Sequence, residues 1–356
     1  MVAVTALPLF PASVVGSLPR PQHVRDLIGK PAWDERDERA MDAAVRYAVS
    51  MQEMSGLDVV TDGEWRRRSY IGVIAELAHG FTLEANPADG RPWTVVTGKL
   101  AAKPAGFIAN EAKFLKSVAR VGTKITLPAP ALLGERLWHP VRSRKAYPRR
   151  EDFVRDCVAP LRREIELIRQ LGIDMIQIDD PHLCLFVDPD VRRAYDDPDR
   201  AADFAVDMIN ALVDGFDGIK FAVHLCRRAG ARVRGEKHHA GTYGPILPQL
   251  NRLKVQHLTL EFTDASADDL ESLGKLRGDF ELGLGVVDVT PGVRQDPAQI
   301  AARVERALAR IDTGRITLNP DCGFAPGSAA KVDLDEVYLK LCAQAEAART
   351  LRARHG

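Results

Sequence analysis

The chain has 356 residues, with 49 basic and 49 acidic side chains, so its formal charge is zero. That balance argues against a nucleic-acid binder, which carries a basic excess. No apolar run approaches the roughly 18 residues that a membrane helix needs, so no membrane partner is expected. The opening MVAVTALPLFPAS lacks a basic n-region and is broken by Pro8 and Pro11, so it does not read as a signal peptide. Five cysteines are too few, and odd in number, for a disulfide framework. A reducing cytoplasm is the expected location.

Eight β-branched runs, taken in chain order, read as strands. They are 13–17 (SVVGS), 57–64 (LDVVTDGE), 123–130 (TKITLPAP), 174–181 (DMIQIDDP), 219–226 (IKFAVHLC), 256–262 (QHLTLEF), 280–289 (FELGLGVVDV) and 314–323 (GRITLNPDCG). Nearly continuous apolar runs of this kind suit parallel strands buried on both faces. Helical periodicity falls between them. It runs over 36–55 with Gly56 as the stop, and over 151–171 with Pro160 as a kink. Asp296 and Asp333 read as caps of two later helices. Residues 79–122 exceed what one crossover needs, and 92–100 (PWTVVTGKL) reads as part of an extra hairpin.

The expected fold class is α/β: a (β/α)8 TIM barrel with an inserted segment near 79–122, one domain over 1–356. A doubly wound open sheet is the alternative, but no G-x-G-x-x-G follows a strand. In such barrels chemistry sits at the C-terminal strand ends. The ionisable residues gather there: Asp62, Glu64, Asp179, Asp180, His224, Cys226, Glu261, Asp288, Asp321 and Cys322.

His224 and Cys226 stand at i and i+2, on one side of a strand. Glu261 ends the next predicted strand and Cys322 ends the last, so nitrogen, sulfur and oxygen donors converge in a closed barrel. Zinc suits that donor set. The bland alternative is two buried cysteines and a satisfied core histidine, which is the reading given to Cys157, Cys184 and Cys342. Two thiolates and a carboxylate leave zinc a poor activator of water. They suit it to holding a substrate thiol as thiolate, with Glu261 as the ligand an incoming sulfur displaces.

VVGSLPRP (14–21), DGEWRRR (62–68), IQIDDP (176–181), HLC (224–226), TLEF (259–262), GLGVVDV (283–289) and NPDCG (319–323) occur in that order. In these motifs the chain resembles the catalytic zinc barrel of the cobalamin-independent methionine synthase family. The resemblance implies zinc on His224, Cys226, Glu261 and Cys322, with Ser17, Glu64 and Asp179 holding the amino-acid end of homocysteine. The structural alternative for Glu64 and Asp179 is an ion pair with Arg66 or Arg67.

The chain departs from the family's long form in three ways. It resembles only the catalytic barrel, whereas the long form has an additional N-terminal barrel. Thr290 stands where the long form has a histidine thought to help protonate the folate leaving group, and a hydroxyl supplies no proton near neutral pH. The folate-stacking tryptophan segment is replaced by LPAPALLGERLW, which leaves Trp138 as a candidate substitute. The short single-barrel form is also similar to epoxyalkane:coenzyme M transferase.

Two basic loops are candidate grips for an anionic substrate group. One is 227–237, led by Arg227 and Arg228, and the other is 141–150. Asp288 either faces the mouth or pairs with Arg294. The function expected is methyl transfer to a zinc-bound thiol, homocysteine giving methionine, from methyltetrahydrofolate or a methylcorrinoid. The alternatives are alkyl transfer to another thiol, as in epoxide opening by coenzyme M, or a non-catalytic zinc- or thiol-binding protein. Uroporphyrinogen decarboxylase-like barrels rank last, because they need no such zinc site.

Overall fold

The structure, a computed structural model, describes residues 7–85, 92–227, 239–325 and 333–356. After the short strand β1 (Val59–Val60) come β2 (Ala78–Ala85) and β3 (Pro92–Ala102), which pair antiparallel as a separate hairpin. The remaining strands are β4 (Gly122–Pro128), β5 (Met175–Asp179), β6 (Lys220–Leu225), β7 (His257–Glu261), β8 (Glu281–Val287) and β9 (Ile316–Pro320). They join β1 in one curled parallel sheet of seven strands, ordered β1-β4-β5-β6-β7-β8-β9. The inserted segment is thus the hairpin plus the helix Phe107–Val118.

The first expected strand, 13–17, is not a strand. Ala12 bridges Leu318 on β9 and Ser13 bridges Val59 on β1, so this segment spans the gap between the sheet's end strands with two isolated bridges. The physical reason lies in where its carbonyls go. Val14 O accepts from Lys124 Nζ, Val15 O from Gln177 Nε2 and Gly16 O from Thr61 Oγ1. Interior side chains have taken the acceptors that a ladder would use.

The helices follow their sequence signals closely. Glu35–Ser55 opens with a capping box at Asp34 and stops at Gly56, whose φ of 93° is the left-handed conformation glycine adopts without penalty. Pro297–Leu308 is capped by Asp296 with proline at its first turn, and Leu334–His355 is capped by Asp333. Arg150–Arg169 continues across Pro160. None of the described helices is long and apolar enough to cross a membrane.

Burial differs between the two faces of the sheet. Outward-facing Ile125, Leu127, Ile176 and Ile178 are fully buried beneath the helices. The alternate positions Lys124, Thr126, Gln177, Asp179, Thr259, Thr317 and Asn319 are also buried but polar. Barrels of this class ordinarily fill their interior with branched apolar side chains. Here the interior is a hydrogen-bonded lattice leading to the C-terminal strand ends.

Candidate metal centre

Strand parity puts His224, near the end of β6, and Cys226, just past it, on the same side. Cys322 follows Pro320, the last residue of β9. The donor atoms of His224, Cys226 and Cys322 lie within 4.8 Å of one another, and all three residues are buried. The two sulfurs are 3.4 Å apart.

His224 Nδ1 lies 3.0 Å from Asp179 Oδ1, while its Nε2 is buried with no hydrogen-bond partner among the described residues. Leaving such an atom unpaired costs about 1–3 kcal/mol. A carboxylate behind one ring nitrogen and an open second nitrogen is how metal-binding histidines are held. Two thiols beside that nitrogen complete a donor set that fits zinc.

Burial opposes a charge on His224, but the contact with Asp179 and the nearness of the Cys226 sulfur outweigh it and lift the imidazole to about 9. The Cys226 thiol is pushed well above its usual range by its hydrogen bond with Cys322 and by burial. Both groups therefore resist losing their protons in the bare protein, and a bound cation reverses that preference.

Glu261 ends β7 and is 1% exposed, but it lies outside this group of three. Its Oε2 accepts from Arg227 N at 2.9 Å, and its Oε1 is 3.8 Å from the Arg227 guanidinium.

Glu64 is held in a conformation that side chains avoid, with φ at 58°. The left-handed region costs a non-glycine residue about 1–2 kcal/mol. Three bonds hold the turn. Glu64 N donates to Asp62 Oδ1 at 3.0 Å, and Arg20 Nη2 donates to the carbonyls of Glu64 and Arg67 at 2.7 and 3.0 Å. The carboxylate accepts from Thr126 Oγ1 at 2.7 Å, and burial raises its pKa against the opposing pull of Arg67. The ion pair with Arg66 or Arg67 is not formed. Arg67 pairs with Glu111 at 2.9 Å, and Arg66 pairs with Glu38 and Asp42. Among the described residues, Glu64 has no ion pair and Asp179 has only His224.

Ser17 docks on the turn behind Cys322. Its carbonyl accepts from Phe324 N at 3.0 Å, and its Oγ accepts from Ala325 N at 3.4 Å. A Cβ on Gly323 would collide with Ser17 Oγ, so only glycine allows this approach.

A family model for the catalytic domain of cobalamin-independent synthase matches residues 10–349. The chain belongs to that family. A protein named methionine synthase from Saccharolobus islandicus is 29% identical over 97% of this chain and 96% of its own. One of the same name from Sulfolobus acidocaldarius is 27% identical over 89% of this chain and 86% of its own. The fold matches a B12-independent methionine synthase from Shewanella sp. W3-18-1 with TM-score 0.76 at 21% identity, covering 97% and 98% of the two chains. It also matches a vitamin-B12-independent methionine synthase structure from Listeria monocytogenes with TM-score 0.72 at 22% identity, covering 98% and 99%.

In this family member the expected basic grips behave differently from free rim arginines. Arg227 is buried. Its Nη1 donates to Gly241 O at 2.6 Å and lies 3.7 Å from Asp269, so its guanidinium is engaged within the protein. Arg228 and the rest of that loop to 237 lie outside the described residues. In 141–150, Arg142 pairs with Glu84 at 2.7 Å, Arg149 with Asp152 at 2.7 Å and Arg150 with Glu135. Arg144 and Lys145 are exposed. Trp138 is half-buried, its indole N–H donating to Tyr147 O at 3.0 Å.

Thr290 donates its N–H to Asp288 Oδ1 at 2.7 Å, and its carbonyl accepts from Lys340. Asp288 therefore serves the turn and makes no ion pair with Arg294 among the described residues. A cavity of 780 Å³ is lined by Trp33, Arg67, Glu111 and Phe114 and by none of the three clustered donors. Donor chemistry, not cavity size, marks the candidate site. Arg20, Thr126 and Gln177 were missed in the sequence. Thr126 and Gln177 carried a signal, as polar residues at alternate positions of apolar strands.

Proposed function

We propose that this chain is a zinc-dependent methyltransferase that moves a methyl group onto a thiol, homocysteine giving methionine. The observation that carries this reading is the buried His224–Cys226–Cys322 cluster with its unpaired Nε2. Family membership and the name methionine synthase among the relatives support it. His224, Cys226 and Cys322 would hold the zinc, and Glu261, tethered to Arg227 N, would be the exchangeable fourth donor. When bound, the ion keeps an acceptor thiol ionised at neutral pH, below its ordinary value of about 8.5.

The protein's own groups act on the rest of the acceptor. Glu64 and Asp179, without an arginine or lysine partner among the described residues, take the substrate ammonium, and Ser17 offers its hydroxyl to the carboxylate. The ammonium compensates the burial that raises the Glu64 pKa. Asp179 uses Oδ1 on His224 and Gln177, which leaves Oδ2 for the substrate.

Of the two donors, Thr290 favours a methylcorrinoid. A cobalt leaving group departs with the bonding electron pair and needs no proton, whereas a folate amine does. Glu64 and Asp179 offer carboxylates to an ammonium, which homocysteine carries and coenzyme M lacks, and this favours homocysteine as acceptor. Residues 12–13 act as the eighth stave of a (β/α)8 barrel formed by the whole chain, working in the cytoplasm without a nucleic-acid or membrane partner.

The test incubates zinc-loaded protein and L-homocysteine with methylcobalamin or with 5-methyltetrahydropteroyltriglutamate. Zinc-dependent methionine formation is expected, fastest from methylcobalamin. Methionine from the folate alone would overturn the donor assignment. No methionine from either, with coenzyme M alkylated instead by an epoxide, would overturn the acceptor.

A further inference from the structure

A charged side chain lies deep inside the ring of strands, where the chemistry described so far does not use it. Lys124 on β4 is 2% exposed, and its Nζ donates to Val14 O and, at 3.0 Å, to Gln177 Oε1. Gln177 on β5 is fully buried. Its Nε2 donates to Val15 O at 2.9 Å and to Asp179 Oδ1 at 2.7 Å. Asp179 Oδ1 also faces His224 Nδ1 at 3.0 Å. A continuous chain of bonds therefore runs Lys124–Gln177–Asp179–His224, from the barrel interior to the clustered donors.

The direction of this chain is fixed by its first member. An amide has one acceptor end and one donor end. Gln177 meets two acceptors on one side, Val15 O and Asp179, and on the other the Lys124 nitrogen, which as an ammonium can only donate. Flipping the amide would set its oxygen against two acceptors and its NH2 against Lys124. Burial draws Lys124 down to about 7, against the pull of Asp179. The neutral amine gains a lone pair but still has N–H bonds to give Oε1, and a flipped amide would still set its oxygen against Val15 O and Asp179. The orientation therefore does not depend on the charge.

We propose that Lys124 is a positioning residue for the metal centre. It fixes the Gln177 amide, which keeps Asp179 ready to accept from His224 Nδ1–H, so that Nε2 stays open to the cation. This rests on the reading of His224 as a metal ligand.

Groups that orient a metal-bound histidine from behind typically change metal affinity by about 10–100-fold. Lys124 acts through two further residues, so Lys124→Met should weaken zinc binding by about tenfold, measured by competition with a chromophoric chelator. The visible spectrum of the cobalt(II)-loaded protein should shift with it.

The decisive comparison is a cycle with Gln177→Leu. If Lys124 acts through Gln177, the double variant binds zinc no more weakly than Gln177→Leu alone. Additive losses would overturn the proposal, as would unchanged affinity in Lys124→Met. Should Lys124→Met fail to fold, Gln177→Glu keeps an acceptor for the lysine while turning an acceptor toward Asp179. It should also lose about tenfold, and unchanged affinity there would overturn the proposal. A wild-type protein that holds no zinc would bring down the metal reading and this inference with it. Tight zinc binding by both wild type and Lys124→Met would remove Lys124 alone.

Discussion

The strand ring and the helices around it are built on opposite principles. The helices are held by apolar faces and local caps: Asp34, Asp296 and Asp333 each bond the first turn of the helix they precede. The ring is filled with Lys124, Thr126, Gln177, Thr259, Thr317 and Asn319, all buried and most bonded to one another or to backbone. Buried polar groups stabilise a fold only when each has its partners, so such an interior trades tolerance for fixed orientation. What it orients are the groups at the C-terminal strand ends: Glu64 through Thr126, and His224 through Asp179. The helical layer supplies stability, and the ring supplies geometry.

That division makes changes in the two regions separable. The largest effect belongs to the donors. Cys226→Ser, or removal of zinc by a chelator, should lower methionine formation at least about a thousandfold. Added zinc should rescue the chelated wild type but not the variant. Next is Glu64→Gln, which keeps the bond from Thr126 but removes the charge offered to the ammonium. It should cost about 2 kcal/mol, roughly thirtyfold in KM for homocysteine, with zinc content unchanged by metal analysis. A fall in zinc content instead would place Glu64 in the scaffold.

A smaller effect reads the ring's buried cation. Between about 7 and its ordinary value of 10.5, Lys124 is neutral when folded and protonated when unfolded. The unfolded chain therefore holds the extra proton, and stability rises with pH across that window. The slope is at most about 1.4 kcal/mol per pH unit, and Lys124→Met should lack it when urea midpoints at pH 7 and pH 9 are compared. The smallest effect lies in the helical layer. Asp296→Ala removes the cap bond to Ala298 N and should cost about 1 kcal/mol of stability, with zinc affinity and KM unmoved.

The helical layer was the more legible region in the sequence. Caps, glycine stops and helical periodicity are local signals. The helices at 297–308 and 334–355 begin right after Asp296 and Asp333, and the helix at 35–55 stops at Gly56. The periodicity that runs on to Ile311 overshoots the end at Leu308. The strand runs were legible as hydrophobic segments. The failure at 13–17 came from long-range competition, since its carbonyls bond Thr61, Lys124 and Gln177, residues 45 to 162 positions away. The clustering of His224, Cys226 and Cys322 was legible because thiols and imidazole at strand ends are rare in a plain core. Glu261 stood at the right strand end, but the Arg227 backbone that tethers it carries no sequence mark. Arg227 itself shows the limit of reading charge from composition. A basic loop looks like a grip for anions until the structure shows Glu261, Asp269 and Gly241 around it.

The central claim is that a thiol substrate is held on zinc at His224, Cys226 and Cys322. Zinc-edge X-ray absorption on the purified protein, with and without L-homocysteine, tests it most directly. The account predicts two sulfur and two nitrogen or oxygen neighbours, becoming three sulfurs and one nitrogen or oxygen when homocysteine is added. A protein that binds no zinc, or a sulfur count unchanged by homocysteine, would contradict it.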